Sequence, residues 1–336
     1  MAKIAINGIG RIGKLVLRTL ISDSVDADIV LLNDVSGTPE QHASLLEFDT
    51  VHGRWPAEFS FDQESVSING ERIRMTSEAH IKDLPLEELG VDLVIDCTGV
   101  FRTDLALQPY YTAGVEKVLV SAPVKDARAL NLVYGVNHDL YDAKAHDLIT
   151  AASCTTNCLA PIVKVMHEEI GIQHGSITTI HNVTNTQTIV DRPAEDMRRA
   201  RSALNSLIPT STGSAKAITM IYPELRGRLN GHAVRVPVLN GSLTDCVFEM
   251  KRSTTVDEVN ALFKSAAAGP LHGILGFEER PLVSADYTND NRSSIIDGPS
   301  TMVINETQVK IYAWYDNEWG YAQRTADIAR MILKDL

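Results

Sequence analysis

A short apolar run at residues 3–7 (Lys-Ile-Ala-Ile-Asn) passes directly into Gly8-Ile9-Gly10-Arg11-Ile12-Gly13. Ile12, Leu15, Val16 and Leu20 then recur at helical spacing. Three glycines between a buried strand and a helix leave the backbone few options. Gly8 permits a tight turn, Gly10 lets the main chain approach a ligand, and Gly13 lets helix and strand pack closely. The helix N-terminus so formed has unpaired N–H groups and the positive end of the macrodipole, which suits a phosphate. A second apolar run at 29–32 ends in Asn33-Asp34. A carboxylate there can accept both hydroxyls of a ribose and repels a 2′-phosphate. Arg11 and Ile12 fall within the same loop. These parts predict a dinucleotide site of the NAD type. The bland alternative, a glycine-rich turn beside a surface aspartate, lacks a reason for the strand before and the helix after.

Further apolar runs at 91–97, 117–121 and 132–136 predict buried strands, with helical patterns between some of them. Strands alternating with crossovers make a doubly wound parallel sheet with helices on both faces. Thr98, Gly99 and Ser121 end such strands, where ligands bind in open sheets, although each singly also suits a turn. After residue 153 the texture changes. A helical pattern runs to about 169, and period-2 segments follow at 175–181, 231–238, 242–250 and 308–315. They predict a mostly antiparallel sheet with one face covered. Tyr321, Ala326, Ile328, Ala329 and Ile332 mark an amphipathic C-terminal helix expected to pack on the first domain. The fold class expected is α/β. A Rossmann-type domain at 1–152, completed by the helix at 318–336, precedes an α+β domain at 153–317.

The chain has 336 residues, enough for two domains. Its 31 basic and 43 acidic residues give a net charge of −12, which argues against non-specific nucleic-acid binding. No run approaches the length of a membrane span, and the N-terminus lacks a secretory pattern. A reducing cytoplasm is expected, with Cys97, Cys154, Cys158 and Cys246 free. Cys154 and Cys158 form C-x-x-x-C, but no second pair or histidine cluster completes a metal site, so no metal is expected.

The most reactive feature is Ser153-Cys154-Thr155-Thr156-Asn157-Cys158. Cys154 follows a residue able to cap a helix, and Ile162, Val163 and Met166 continue the helical pattern. A thiol in a first helical turn meets the dipole's positive end and free N–H groups, which favour the thiolate. His181 ends the apolar run at 175–180 just after that helix and is the best-placed proton partner; an imidazole there can pair with a thiolate as imidazolium. A structural role for a strand-end histidine stays open at this level, because the sequence does not place the two side chains in contact. Hydroxyls and cations stand around this pair in sequence. They include Ser153, Thr155, Thr184, Thr210, Thr212, Gly213 before a helical run, and Arg199 in the cluster Arg198, Arg199, Arg201. The cluster also reads as a solvated helix face. Arg235 lies inside a strand, where an unpaired charge is costly. Two phosphate-sized sites around one thiol are the resulting expectation.

These residues resemble the phosphorylating, NAD-linked glyceraldehyde-3-phosphate dehydrogenase family over essentially the whole chain. The resemblance rests on the motifs at 6–13, 153–161, 208–213 and 234–237, and on Trp-Tyr-Asp-Asn-Glu-Trp-Gly-Tyr at 314–321. It implies that Cys154 attacks the aldehyde of glyceraldehyde 3-phosphate, with His181 as base. Hydride transfer to NAD then leaves a thioester that inorganic phosphate opens to an acyl phosphate. It implies substrate phosphate near Thr184 and Arg235, attacking phosphate near Ser153, Thr155, Thr212, Gly213 and Arg199, and Asn317 on the nicotinamide carboxamide. It also implies a homotetramer in which residues near 182–205 reach a neighbour's cofactor.

Some segments depart from the family pattern. Asn182-Val183-Thr184-Asn185-Thr186-Gln187 carries Thr186 where an aspartate is common. Arg192 replaces a leucine and can approach a 2′-phosphate across a subunit interface, whereas Asp34 argues for NAD. An adenine-side Arg-Asp-Pro is absent from Ser77-Glu78-Ala79-His80. With 198–207 and 230–237, these features resemble a branch associated with arsenate detoxification, where arsenate replaces phosphate and the product is 1-arseno-3-phosphoglycerate. Erythrose-4-phosphate dehydrogenase, which hydrolyses its thioester, is an alternative. The aspartate-semialdehyde type is opposed by the 314–321 motif, and a non-catalytic dinucleotide module by the Cys154, His181, Thr184 and Arg235 set.

Overall fold

The structure is a computed structural model that describes all of residues 1–336. The chain divides into two compact units. The first contains Met1–Tyr134, His138–Ser153 and Tyr321–Leu336, and the second contains Gly135–Asn137 and Cys154–Gly320.

The first unit is built on nine strands: β1 (Lys3–Asn7), β2 (Asp28–Asn33), β3 (Phe59–Phe61), β4 (Ser65–Ile68), β5 (Glu71–Thr76), β6 (Leu93–Asp96), β7 (Lys117–Val120), β8 (Leu130–Asn131) and β9 (Leu148–Thr150). Their order is β3-β4-β5-β2-β1-β6-β7-β9-β8. From β5 to β8 all pairs are parallel, while β3-β4-β5 is an antiparallel edge. Helices α1 (Arg11–Ser22), α2 (Pro39–Glu47), α3 (Leu86–Leu89) and α4 (Asp104–Thr112) intervene. Order reverses at β1, between β2 and β6, which is where such sheets open a crevice for ligands. The central strands carry near-continuous apolar runs because both faces are covered. Ala5, Leu31, Val94 and Val118 pack with Leu107 and Tyr110 of α4 in one cluster. Each fully buried leucine or isoleucine there stabilises by roughly 1.5–3 kcal/mol.

Two details differ from the sequence reading. The run at 132–136 is not a strand. Only Leu130–Asn131 pairs with β9, and the chain then turns at Gly135, whose φ is +86°. Leu132 and Val133 are buried without joining the ladder, so their apolar character reflects packing alone. The antiparallel edge β3–β5 was not foreseen, and neither was β9.

The second unit begins with α5 (Cys154–Glu169). Its strands are β10 (Ile172–His181), β11 (Ile208–Ser211), β12 (Leu229–Arg235), β13 (Ser242–Met250), β14 (Leu275–Glu278), β15 (Ser294–Asp297), β16 (Met302–Ile304) and β17 (Gln308–Tyr315). They follow the order β11-β12-β10-β13-β17-β15-β14, with β16 paired to β17. Most pairs are antiparallel; β10–β12 and β14–β15 are parallel. The period-2 pattern has the expected cause. Along β13, Thr244, Cys246, Phe248 and Met250 are buried while the residues between them are less so. Helices α6 (Ser214–Ile221) and α7 (Val256–Ala268) complete the unit.

The last helix, α8 (Trp319–Leu333), returns the chain to the first unit, which holds Tyr321 onward. There Ala322, Ala326, Ile328, Ala329 and Ile332 are buried, and the Gln323 amide donates to the Thr19 hydroxyl at 2.9 Å.

Candidate active site

In the first unit, β1 ends at Asn7 and Gly8 turns the chain at φ +91°. A Cβ on Gly8 would stand 2.6 Å from the Thr98 nitrogen, and one on Gly13 would stand 1.9 Å from the Gly8 oxygen. Those two glycines are therefore demanded by the protein's own packing. Gly10 is different, because nothing lies within 4 Å of its added Cβ. It caps α1 beside a cavity of about 770 Å³ lined also by Ile9, Lys14, Asp34, Ser36 and Gly37. An open approach over Gly10 at a helix N-terminus, facing an acidic residue, fits a dinucleotide. Asp34 follows β2 and is oriented by the Ser36 amide, which donates to its Oδ1 at 3.0 Å.

Other residues expected at this site have different partners. Arg11 is ion-paired with Asp49. Ile12 sits in the first turn of α1. The Thr98 amide and hydroxyl both donate to Asp96, at 3.0 and 2.8 Å. Gly99 turns at φ +67° and its carbonyl accepts from the Arg102 Nε at 2.8 Å. The Ser121 amide donates to the Asp96 carbonyl at 2.8 Å. Asp96 is thus the buried anchor beneath two expected cofactor positions.

In the second unit, one end of the inner strands gathers the reactive groups. β10 and β12 run parallel with His181 opposite Arg235, both at the C-terminal ends of their strands. Ser242 opens β13 opposite Tyr315 at the end of β17. Cys154 is the first residue of α5, following Ala152 in the left-handed region at φ +52°. That conformation costs an alanine about 1 kcal/mol and persists because its surroundings enforce it. The Tyr321 hydroxyl donates to the Ala152 carbonyl at 3.1 Å. Ser153 ends the first unit, immediately before the cysteine.

The Cys154 sulfur lies 3.7 Å from His181 Nε2 and 4.0 Å from the Thr155 hydroxyl. Arg235 Nη1 lies 2.7 Å from His181 Nδ1 and donates to the Asn182 carbonyl at 3.1 Å. Tyr315 presents its ring edgewise to His181, and its hydroxyl bonds that of Thr155 at 3.0 Å. Ser242 connects the Asn182 amide to Asn317, accepting at 3.2 Å and donating to Oδ1 at 2.9 Å. Thr184 is held in a local network with Thr186 and Gln187. Arg199 donates to the Thr210 hydroxyl at 3.1 and 2.9 Å. The Thr212 hydroxyl donates to that of Ser214, and Gly213 is the N-cap of α6. No helix forms around Arg198, Arg199 and Arg201; Arg201 pairs with Asp191 instead.

Tyr315 and Ser242 were missed as site residues. Tyr315 lies inside a family motif, but its role depends on the pairing of β17 with β13, which no local pattern reveals. Cys158 lies one turn after Cys154 and is buried, 3.6 Å from the Ser294 hydroxyl. Burial pushes its thiol up to about 12, so it is inert.

Opposing influences act on the thiol and the imidazole. Burial pushes the Cys154 thiol up, against Arg235 and Thr155, which favour the thiolate. Burial and then Arg235 push His181 down to about 4. An imidazolium at 181 is therefore disfavoured in this arrangement.

A glycine-rich turn suited to a dinucleotide in one unit, and a thiol, an imidazole and a guanidinium in successive contact in the other, are features that an NAD-linked oxidoreductase requires. Comparison with known proteins gives the family. Residues 2–104 match the NAD-binding domain of glyceraldehyde 3-phosphate dehydrogenase, and residues 153–317 match its C-terminal domain. The chain is 58% identical over 335 residues to glyceraldehyde-3-phosphate dehydrogenase 3 of Nostoc sp., covering 99% of each chain. It is 48% identical to the Geobacillus stearothermophilus enzyme over 98% of each, and 48% identical to a plasmid-borne Cupriavidus necator enzyme over 97% of each. The chain belongs to the glyceraldehyde-3-phosphate dehydrogenase family, whose members oxidise that aldehyde with NAD. No cluster of three or more His, Cys, Asp or Glu side chains is arranged for a metal, and no helix is long and apolar enough to cross a membrane.

Proposed function

We propose that Cys154 is the nucleophile and His181 the base in a phosphorylating oxidation of glyceraldehyde 3-phosphate to 1,3-bisphosphoglycerate. The 3.7 Å approach of Cys154 Sγ to His181 Nε2 supports this reading more than any other observation. The thiol adds to the aldehyde, its proton passing to the nascent oxygen, to give a thiohemiacetal. His181 then takes the hydroxyl proton as the carbonyl re-forms. NAD, when bound, supplies the hydride acceptor. Gly8, Gly10, Arg11, Ile12, Gly13 and Asp34, with Thr98, Gly99 and Ser121, would hold it, and Asn317 would orient its carboxamide. The thioester retains the free energy of oxidation that hydrolysis would discard. The site must therefore admit an oxyanion while limiting water.

Arg235 and Thr184 receive the substrate phosphate. The Arg235 Nε is buried and has no partner within the chain, which supports an anion there. Ser153, Thr155, Thr212, Gly213 and Arg199 receive the attacking phosphate. The protein works in the cytoplasm as a homotetramer. Exposed Ile189, Val190, Met197, Leu204 and Leu207, grouped within one segment, support a partner surface there. The helix from 318 completes the dinucleotide domain of 1–152, and 153–317 carries the chemistry.

The experiment is Cys154→Ser, with NADH formation from glyceraldehyde 3-phosphate and NAD affinity measured in the same preparation. Activity falls by at least about 10³-fold while NAD affinity stays within about threefold. Retention of dehydrogenase activity by this variant refutes the assignment. Without phosphate, the wild type gives a burst of about one NADH per site and then slows. Undiminished turnover points instead to thioester hydrolysis.

A further inference from the structure

The turn that presents Asp34 to the dinucleotide cavity is exposed, yet a buried side chain holds it. β2 ends at Asn33, and Val35, Ser36, Gly37 and Thr38 are all exposed. His42, on α2, is only 5% exposed and lines the same cavity of about 770 Å³. Its Nε2 lies 2.7 Å from the Ser36 carbonyl oxygen. A carbonyl only accepts, so Nε2 carries the proton and donates. The Ser36 amide in turn donates to Asp34 Oδ1 at 3.0 Å. Ser36 thus joins the imidazole to the carboxylate, accepting through its carbonyl and donating through its amide.

The two ends of the turn are fixed separately. The Asp34 amide donates to the Thr76 carbonyl at 3.1 Å, and Thr38 shares a capping box with Gln41 at the start of α2. Between these ends the imidazole packs against the backbone. Gly37 stands at φ +91°, and a Cβ on it would come within 2.8 Å of His42 Nε2. The imidazole brings a cost of its own. Its Nδ1 is buried and has no hydrogen-bond partner. An unmatched buried acceptor destabilises a fold. A leucine of similar bulk would fill the space without that cost, and the exposed Ser36 carbonyl would bond water instead. What the imidazole supplies and a leucine does not is the N–H. Burial is the largest influence on the ring and lowers its proton affinity; the Ser36 carbonyl raises it, Lys14 lowers it and Asp34 raises it, for a net fall. The ring is therefore a neutral, directional donor.

We propose that His42 is a positioning residue for dinucleotide specificity: its N–H fixes the Ser36 peptide, and that peptide aims the Asp34 carboxylate at the ribose. This inference rests on the dinucleotide part of the proposed function and adds a residue that acts on the cofactor only through its neighbours. Held in place, Asp34 accepts from the ribose hydroxyls and repels a 2′-phosphate. With the donor removed, the exposed turn is tied only at its ends and the carboxylate gains freedom. It then loses part of its hydrogen bonding to NAD and part of its repulsion of NADP. Both losses move selectivity in the same direction, because specificity is a difference of two affinities.

The test is calorimetric binding of NAD and of NADP to the full-length protein, to His42→Leu and to His42→Gln, with urea unfolding midpoints measured on the same preparations. Glutamine sets an amide N–H where the imidazole Nε2–H stands, whereas leucine fills the space without a donor. In His42→Leu the ratio of the NADP to the NAD dissociation constant is expected to fall by about tenfold, the size of one hydrogen bond to a charged group. The unfolding midpoint of that variant is expected to equal or exceed that of the wild type. His42→Gln should keep the ratio within about threefold of the wild-type value. An equal fall in both variants overturns the proposal, since the donor would then not matter. A leucine variant that fails to fold, or that weakens NAD and NADP alike, makes the imidazole structural and overturns it too. A wild type that binds neither dinucleotide refutes the proposed function itself. A wild type that selects NAD, with a ratio that His42→Leu does not move, refutes only the positioning role.

Discussion

Asp96 offers the sharpest test of the electrostatic reasoning. It ends β6 with no solvent exposure, and burial raises its carboxyl from 3.8 to about 6 despite three hydrogen bonds. Thr98 supplies two of them and the Tyr110 hydroxyl the third, at 2.8 Å. In the unfolded chain the group ionises near its ordinary value. The folded pKa is raised, so the favourable contribution is fully present below about pH 4 and is lost as pH rises through about 6. A shift of about two units corresponds to roughly 3 kcal/mol. Asp96→Asn cannot ionise. It also replaces the oxygen that accepts from Tyr110, whose hydroxyl already accepts from the Asn7 amide at 2.6 Å. That mismatch costs about 1–3 kcal/mol, but equally at every pH. The quantity to measure is the difference in unfolding free energy between variant and wild type, from urea titrations at fixed protomer concentration between pH 4 and 7. It should move by about 2–2.5 kcal/mol in the variant's favour across that window. The titratable neighbours Cys97 and Tyr110 are both pushed up, Cys97 to about 12, so neither changes charge there. A difference that stays flat means the carboxylate is solvated in a way its burial contradicts, and the argument fails.

Two further substitutions separate packing from binding. Gly10→Ala meets nothing within 4 Å and should change stability by about 1 kcal/mol or less, yet weaken NAD binding at least about tenfold by calorimetry. Gly13→Ala drives a Cβ to 1.9 Å from the Gly8 oxygen and should cost more than about 3 kcal/mol in thermal or chemical unfolding. Equal stability losses would mean that the Gly10 approach is structural. Tyr315→Phe strands the buried Thr155 hydroxyl beside the thiol. It should cost about 1–3 kcal/mol and slow alkylation of Cys154 by iodoacetamide at a fixed pH; unchanged alkylation would disconnect Tyr315 from the sulfur's setting.

What could be read in the residues was whatever depends on near neighbours. The strand–glycine–helix entry at Gly8 to Gly13 reports on itself, since each glycine answers to groups brought close by the turn. The start of α5 at Cys154 and the alternation along β13 are local in the same sense. The run at 132–136 failed because apolar residues fill a core equally well from a turn, and periodicity over five residues cannot tell the two apart. The influences on the thiol are legible only in part. A helix start is visible in sequence, whereas the depth at which the fold buries it is not. Tyr315 and Ser242 meet the site only through strand register, set by pairings across more than sixty residues.

Arg235 joins these two kinds of information. From sequence it is a cation inside a strand, costly unless paired. A carboxylate partner would have cancelled that charge and closed the question. The fold instead pairs it with a neutral imidazole and a carbonyl, which satisfy some of its donors while leaving its charge whole and its Nε unmatched. Burial accordingly lowers the arginine's own proton affinity, as it must for a cation with no neutralising partner. A site arranged in this way retains an electrostatic cost that an entering anion can relieve. That relief is available only to substrates carrying a phosphate at the correct distance from the aldehyde. Arg235→Ala should therefore raise KM for a phosphorylated aldehyde far more than for an unphosphorylated one in steady-state assays, and equal effects on both would make the arginine structural.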